Sequence, residues 1–105
     1  MPRVYSKRKG APEPPPPDAV YVGRPTSWGN PFLVRYALGM SKEVAHELAV
    51  EEYRAWLFKP ERWHVRKRAR EELRGKDLVC WCAPLPCHAD VLLQIANSPD
   101  GDVYT

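Results

Sequence analysis

The sequence predicts a small single domain of the α/β class, with a short sheet flanked by about three helices and preceded by a disordered Pro-rich arm. A length of 105 residues supports one core and no second one. Strand-like apolar runs alternate along the chain with segments in which apolar residues recur every three or four positions, as is typical of α/β domains. We expect the arm over residues 1–18, the domain over residues 19–97 and a C-terminal tail over residues 98–105.

The N-terminal part of the chain predicts an extended arm, a strand and then a structured loop. Positions 12 to 17 hold five prolines, which exclude both a helix interior and a regular sheet ladder. The β-prone run Val20-Tyr21-Val22 predicts a first strand that stops at Gly23. Residues 24–32, the Trp28 loop, have turn chemistry throughout, with Gly29 expected at a positive φ. Residues 32–36 are expected to return as a second short strand.

The rest of the chain predicts three helices and one more strand. Ser41 is a suitable N-cap for a helix over residues 41–58, and Pro60 suits the first position of a second helix that ends at Gly75. Residues 77–82 predict a buried strand, and residues 90–97 predict the last helix. The apolar stripe of the first helix comprises Ala45, Leu48, Ala49, Tyr53, Trp56 and Leu57, and that of the last helix comprises Val91, Leu92, Ile95 and Ala96.

Composition indicates the compartment. No apolar run reaches the roughly 20 residues that a membrane-spanning helix needs, and residues 1–10 lack the apolar core of a signal peptide. The cysteines number three, an odd count, and crowd into residues 80–87, which favours reduced thiols over a disulfide framework. We therefore expect a cytoplasmic protein with no membrane partner.

Two loops are expected to form one site. The Trp28 loop follows the strand that ends at Val22, and residues 80–90, the Cys80–Asp90 loop, follow the strand that contains Cys80. Ligands in open α/β sheets bind outside the carboxyl ends of the strands. The two loops therefore meet if these strands are parallel neighbours.

Two blocks of the sequence carry a family resemblance. One runs from Leu73 to Leu93 and contains the cysteines, and the other comprises Gly23-Arg24-Pro25 and Trp28-Gly29-Asn30-Pro31-Phe32. Together they resemble a family of phage and bacterial proteins called domain of unknown function 4326, over about residues 20–97. The resemblance implies a small intracellular accessory protein, in the host cytoplasm if phage-encoded, that acts in nucleotide or DNA metabolism or against host defence.

Three thiols and one imidazole lie close together before the last helix. Cys80, Cys82, Cys87 and His88 have the number and chemistry of a tetrahedral zinc site, although C-x-C is tighter than the usual zinc-ligand spacing. Without metal, Cys87 and His88 are candidate catalytic groups at a helix N-terminus, with Asp90 as the orienting carboxylate. A third interpretation makes the cysteines small core residues, His88 a capping histidine and Asp90 a first-turn carboxylate.

The Trp28 loop has the chemistry of a nucleotide pocket. Arg24 offers a planar fork for phosphate or carboxylate, Trp28 a face for stacking, and Asn30 a donor and acceptor for a base edge. The alternative is that Trp28 fills the core while the prolines and Gly29 shape the loop.

Three functions of different classes follow, of which the last is a phage inhibitor that acts by surface contact alone. The first is a phage-type accessory protein that binds or acts on a nucleotide-like anionic small molecule between the two loops. The second is a zinc-stabilised module that binds nucleic acid or a host protein through residues 61–76, the basic segment. That segment carries seven basic residues against three acidic ones, within a chain of net charge +3. By default such a segment is a solvated face.

Overall fold

The computed structural model describes residues 2–7, 13–24, 26–32, 39–81 and 85–98. The strands are β1 (Val4–Ser6), β2 (Val20–Tyr21) and β3 (Leu78–Cys80), and the helices are α1 (Lys42–Leu57), α2 (Trp63–Glu72) and α3 (His88–Ala96). A single 3-10 turn, Pro60–Arg62, precedes α2. The predicted α/β class, with a short sheet and three helices, is confirmed for this part of the chain.

The sheet is parallel, with β3 between its two neighbours in the order β1-β3-β2. Val79 in the central strand pairs with Tyr5 on one side and Tyr21 on the other. All three residues of β3 are buried, as expected for a central parallel strand covered on both faces. Because β2 and β3 are parallel neighbours, which is the condition that the sequence analysis set, the loops that follow them leave the same edge of the sheet.

The edge strand β1 was not predicted from the sequence, which assigned residues 1–18 to an arm outside the domain. Val4–Ser6 pairs with Leu78–Cys80, and the amide of Lys7 continues the ladder to the carbonyl of Cys80 at 2.8 Å. Three residues are too few to show a hydrophobic period, so only the partner strand reveals this element. The domain therefore includes residues 4–6, and its expected boundary at residue 19 is corrected.

Several predicted segments lie wholly or partly outside the described residues. They are residues 8–12 of the arm, residues 33–36 of the second strand and residues 99–105 of the tail. Within the described part of the Pro-rich segment, Glu13 forms an ion pair with Arg3 at 3.2 Å.

Helix α1 begins and ends close to its predicted bounds. The Ser41 hydroxyl accepts a hydrogen bond from the amide of Val44, which is the expected N-cap. The face that includes Ala49, Tyr53 and Leu57 is buried. Leu48, which the sequence placed in the apolar stripe, is instead half-exposed because it lies outside this narrow face.

Helix α3 is the most central helix, since it packs against α1, α2, β3 and β1. Its predicted core residues Val91, Leu92, Ile95 and Ala96 are all buried. It begins at His88, two residues earlier than predicted, because Cys87 and Asp90 form a capping box. Among the described residues, no helix is both long and apolar enough to cross a membrane.

Candidate ligand-binding site

A cleft of about 280 Å³ opens at the carboxyl ends of β2 and β3. Its walls come from the Trp28 loop, from α1, from Trp81 and from residues 86–88, so the described parts of the two loops expected to form one site do lie side by side. A hydrogen bond of 2.7 Å between the His88 ring and the Val22 carbonyl joins them directly. The side chains that carry polar or aromatic chemistry are Tyr21, Arg24, Asn30, Phe32, His46, Trp81, Cys87 and His88.

His88 is held in a single tautomer at the base of the cleft. A carbonyl can only accept, so Nε2 carries the proton and donates it to Val22, which leaves Nδ1 as an acceptor. Nδ1 lies 3.5 Å from the sulfur of Cys87. Burial lowers the pKa of His88 below its usual 6.5, and the nearby Arg24 guanidinium acts in the same direction. The ring is therefore neutral at pH 7.

The depressed pKa of His88 predicts a loss of stability on the acid side. Below pH 6.5 the unfolded chain takes up a proton that the native ring binds only at lower pH, so the free energy of unfolding falls as the pH drops. The loss is about 1.4 kcal/mol for each pH unit between the two pKa values. Thermal unfolding of the wild type at a series of pH values below 6.5 should show this slope, a Tm that falls with falling pH.

The matched variants for this prediction are His88→Gln and His64→Gln. His88→Gln should remove the slope, whereas His64→Gln, at an exposed position on α2, should keep it. Asp90 has the opposite effect on the free energy of unfolding. Burial raises its pKa above the usual 3.8, so the native carboxylate takes up a proton at a higher pH than the unfolded one, and this contribution to stability grows as the pH falls. A slope that persists in His88→Gln would contradict the assignment to His88.

Cys80 and Cys87 form a buried sulfur pair behind His88. Their sulfurs lie 2.7 Å apart, and only Cys87 borders the cleft. Two thiolates on one tetrahedral zinc would be about 3.7 Å apart, given zinc–sulfur bonds of about 2.3 Å. Among the described residues no group of three or more potential ligands could hold a metal ion. Cys82, the remaining ligand of the predicted zinc set, lies outside the described residues.

Asp90 holds the start of α3. Its Oδ2 accepts the backbone N–H of Cys87 at 3.0 Å, which closes the capping box. The residue does not line the cleft. Since two residues that are two apart on a helix do not face each other, Asp90 does not orient the His88 ring, and the Val22 carbonyl takes that position instead. The orienting role expected for Asp90 is corrected accordingly.

Arg24 is an exposed guanidinium that lines the cleft. Its Nε donates to the carbonyl of Asn30 at 3.0 Å, which fixes the side chain against its own loop. Gly29 permits this packing, because a Cβ there would lie 2.9 Å from Cγ of Arg24 and 3.2 Å from its backbone. Gly29 does not have the positive φ expected from the sequence, so close approach is its role.

Trp28 and Asn30 are placed differently from the sequence expectation. Trp28 is only 5% exposed and lies in the core, with the Arg68 guanidinium 4.5 Å from its ring centre. It does not line the cleft, so the stacking role predicted for it is not available. Asn30 does line the cleft, but its amide donates to the carbonyl of Ala49 and accepts from the amide of Phe32. Both bonds hold the loop on α1, which reduces the capacity of Asn30 to read a base.

Among the polar and aromatic residues of the cleft, four were not singled out as site residues from the sequence: Tyr21, Phe32, His46 and Trp81. Tyr21 and Trp81 stand at the carboxyl ends of β2 and β3, and His46 reaches the cleft from α1. For Tyr21 and Trp81 the signal was their position at the ends of parallel strands. His46 carries no such signal, because only the packing of α1 brings it to the cleft.

The basic segment has most of its charge engaged within the domain. Arg66 is fully buried and donates to the carbonyls of Leu57 and Lys59, and Arg74 donates to the carbonyl of Ala96. Both guanidinium groups thus cap C-terminal ends of helices, where positive charge is favoured. Arg62 and Arg68 lie over the rings of Trp56 and Trp28. Four of the seven basic side chains are therefore committed to intramolecular contacts.

Comparison with known proteins gives a family match and a phage relative. The family model described as Domain of unknown function (DUF4326) matches residues 5–98. The chain is also 36% identical over 78 residues to the "Uncharacterized 12.4 kDa protein in nrdA-td intergenic region" of Enterobacteria phage T4. That alignment covers 74% of this chain and 67% of the phage protein. No solved structure matches the chain.

Proposed function

We propose that this chain, which belongs to the domain of unknown function 4326 family, binds a nucleotide-like anionic small molecule in the cleft between the Trp28 loop and the Cys80–Asp90 loop. One observation carries the proposal. A guanidinium, three aromatic side chains and a buried neutral imidazole line the same concave site at the carboxyl ends of parallel strands. Such positions are the usual ligand sites of open α/β sheets.

The charge of the cleft supports an anionic ligand. Arg24 offers bidentate hydrogen bonds to phosphate or carboxylate, and the N-terminus of α3 lies at the same wall. His88 adds a neutral ring whose Nδ1 accepts hydrogen bonds. The site therefore combines one fixed cation with neutral polar groups, which suits an anion attached to a polar ring system.

A reaction on the ligand would use the Cys87–His88 pair. The Cys87 sulfur lies within reach of an imidazole nitrogen that accepts, and the Val22 carbonyl orients that imidazole. A nucleophile, a base and an orienting group in this order are the general requirement for an activated thiol. Asp90 holds the helix that carries both residues, so its part in such a reaction is positional.

A ligand screen tests the proposal. We expect nucleotides to raise the Tm of the wild-type protein, because a ligand that binds only the native state stabilises it by mass action. Nucleosides, inorganic phosphate and short DNA are screened in parallel. A Tm that responds to DNA and to none of the small molecules would contradict the proposal and favour binding through the basic segment.

The second candidate function is the zinc-stabilised module that binds nucleic acid or a host protein through residues 61–76. The convergence of Cys80 and Cys87 favours it, since two of the four predicted ligands already meet. One feature weighs against it: four of the seven basic side chains of the segment are engaged within the domain.

Chelation separates the two candidates. For the small-molecule site we expect the purified protein to contain no stoichiometric zinc and its Tm to be unchanged in excess chelator. Elemental analysis and thermal unfolding measure both. Zinc held by Cys80, Cys82, Cys87 and His88 predicts the opposite result, because metal binding to such a site is coupled to folding. Cys82→Ser then serves as the matched variant, and it should abolish the metal content only in that second case.

A further inference from the structure

Trp81 is the aromatic side chain at the mouth of the cleft. It follows β3 directly, is 51% exposed and lines the cleft, whereas Trp28 is 5% exposed and does not. Unlike the equally exposed Trp63, Trp81 stands beside a second aromatic ring, Tyr21, at a concave site, where the two rings offer a surface for stacking.

A chain of hydrogen bonds holds the Trp81 ring in place. The indole Nε1 donates to the Tyr21 hydroxyl at 2.9 Å, and that hydroxyl donates to the carbonyl of Arg24 at 2.7 Å. Gly23 makes this arrangement possible, because a Cβ at that position would lie 2.5 Å from the Tyr21 oxygen. The two rings are thus fixed before any ligand arrives, which lowers the entropy cost of stacking on them.

Positive charge surrounds this pair of rings. The ammonium of Lys7, which follows β1 and lies beside the cleft rather than in its lining, is 4.4 Å from the ring centre of Tyr21 and 6.0 Å from that of Trp81. Arg24 follows β2 on the same edge of the sheet and lines the cleft. All three strands therefore deliver a functional side chain to one place: a cation after β1, a cation after β2 and an aromatic ring after β3.

We propose, resting on the proposed function above, that Trp81 is the surface on which the ligand's base stacks and that the ligand is a single nucleotide whose phosphate is bound by Lys7 and Arg24. An aromatic platform beside two cations matches a planar base joined to a phosphate. The volume of about 280 Å³ is at the lower end of ligand pockets, which suits one nucleotide rather than a dinucleotide. Trp81 thereby takes the stacking role that the sequence assigned to Trp28.

Titration of four probes against matched tryptophan variants tests this assignment. Adenosine monophosphate, cytidine monophosphate, adenosine and inorganic phosphate are titrated against the wild type, Trp81→Ala, Trp81→Phe and Trp63→Ala. Trp63 is equally exposed, at 51%, but lies on α2 and does not line the cleft. Trp81→Ala should weaken the binding of both nucleotides and of adenosine roughly 5- to 150-fold, which is the range for loss of one base–aromatic stack. The affinity for inorganic phosphate should stay unchanged. Trp81→Phe should recover part of the loss, and Trp63→Ala should bind like the wild type.

The outcomes distinguish this assignment from the proposed function. If the wild type binds nucleotides and Trp81→Ala binds them equally well, the stacking role is overturned while the small-molecule site stands. If Trp63→Ala loses as much affinity as Trp81→Ala, the stacking role is also overturned. If the wild type binds none of the four probes, both the stacking role and the proposed function are overturned. Because the Trp81 side chain is half-exposed, its variants should keep the wild-type Tm to within a few degrees.

Discussion

Arg66→Met is expected to lower the free energy of unfolding by about 2–5 kcal/mol, a large part of the total stability of a small domain. The Arg66 side chain is fully buried, and its Nη1 donates to the carbonyls of Leu57 at 2.6 Å and Lys59 at 2.8 Å. Methionine fills a similar volume but leaves both carbonyls without their donor, at about 1–3 kcal/mol each. Chemical denaturation should show the midpoint moving to lower denaturant, and thermal unfolding should show a Tm at least ~10 °C lower.

Two further variants isolate the cause of this loss. Lys67→Met is the matched control, because Lys67 is the exposed neighbour on the same helix, and its effect should stay within about 0.5 kcal/mol. Arg66→Lys keeps the charge but loses the planar fork, so it should fall between the wild type and Arg66→Met. Equal stabilities for Arg66→Met and Lys67→Met would contradict the capping role of Arg66.

Arg24→Ala is expected to weaken nucleotide binding about 10- to 150-fold, because hydrogen bonds to charged groups are worth about 1.5–3 kcal/mol each. Arg24 is the exposed guanidinium that lines the cleft, and its Nε is anchored to the carbonyl of Asn30. Isothermal titration of the wild type and the variant with adenosine monophosphate measures the change. Adenosine, which lacks the phosphate, should lose far less affinity.

The control for Arg24→Ala is a second arginine, Arg54, which is partly exposed. Arg54 lies on α1 outside the cleft and bonds to Gln94 at the surface. Arg54→Ala removes the same charge from the protein, so it separates a local contact from a general electrostatic attraction. If the two variants lose equal affinity, the ligand does not contact Arg24.

The sequence was sufficient to predict the parts of the fold that depend on local pattern. The strand at Val20, the strand at Leu78 and the buried face of α3 all follow from runs of apolar residues with a clear period. Their parallel pairing then brings the Trp28 loop and His88 together, because both loops leave the carboxyl edge of the sheet.

What the sequence could not predict depends on partners that are distant along the chain. β1 has only three residues, and its strand conformation comes from pairing with β3. Trp28 and Trp81 both follow strands and have the same chemistry. Tertiary contacts decide which ring is buried. Arg68 packs over the Trp28 ring, and the Tyr53 hydroxyl donates to the Trp28 carbonyl.

The basic segment shows the same limit for charge. Its arginines suggest a surface for phosphates when only the sequence is considered. Arg66 and Arg74 instead meet carbonyls at the ends of other helices, and these partners cannot be inferred from the spacing of charges. A charge pattern therefore predicts a binding surface poorly until the intramolecular partners are known.

The most direct measurement of ligand binding in the cleft is an NMR titration of isotopically labelled protein with adenosine monophosphate. We expect the perturbed amides to cluster at residues 21–24, at residues 30–32, at residues 46–50, at Trp81 and at residues 86–88, which contain the lining of the cleft. The same titration with short DNA serves as the comparison. Perturbations confined to residues 62–76, or saturation by DNA with no response to the nucleotide, would contradict a nucleotide site in the cleft.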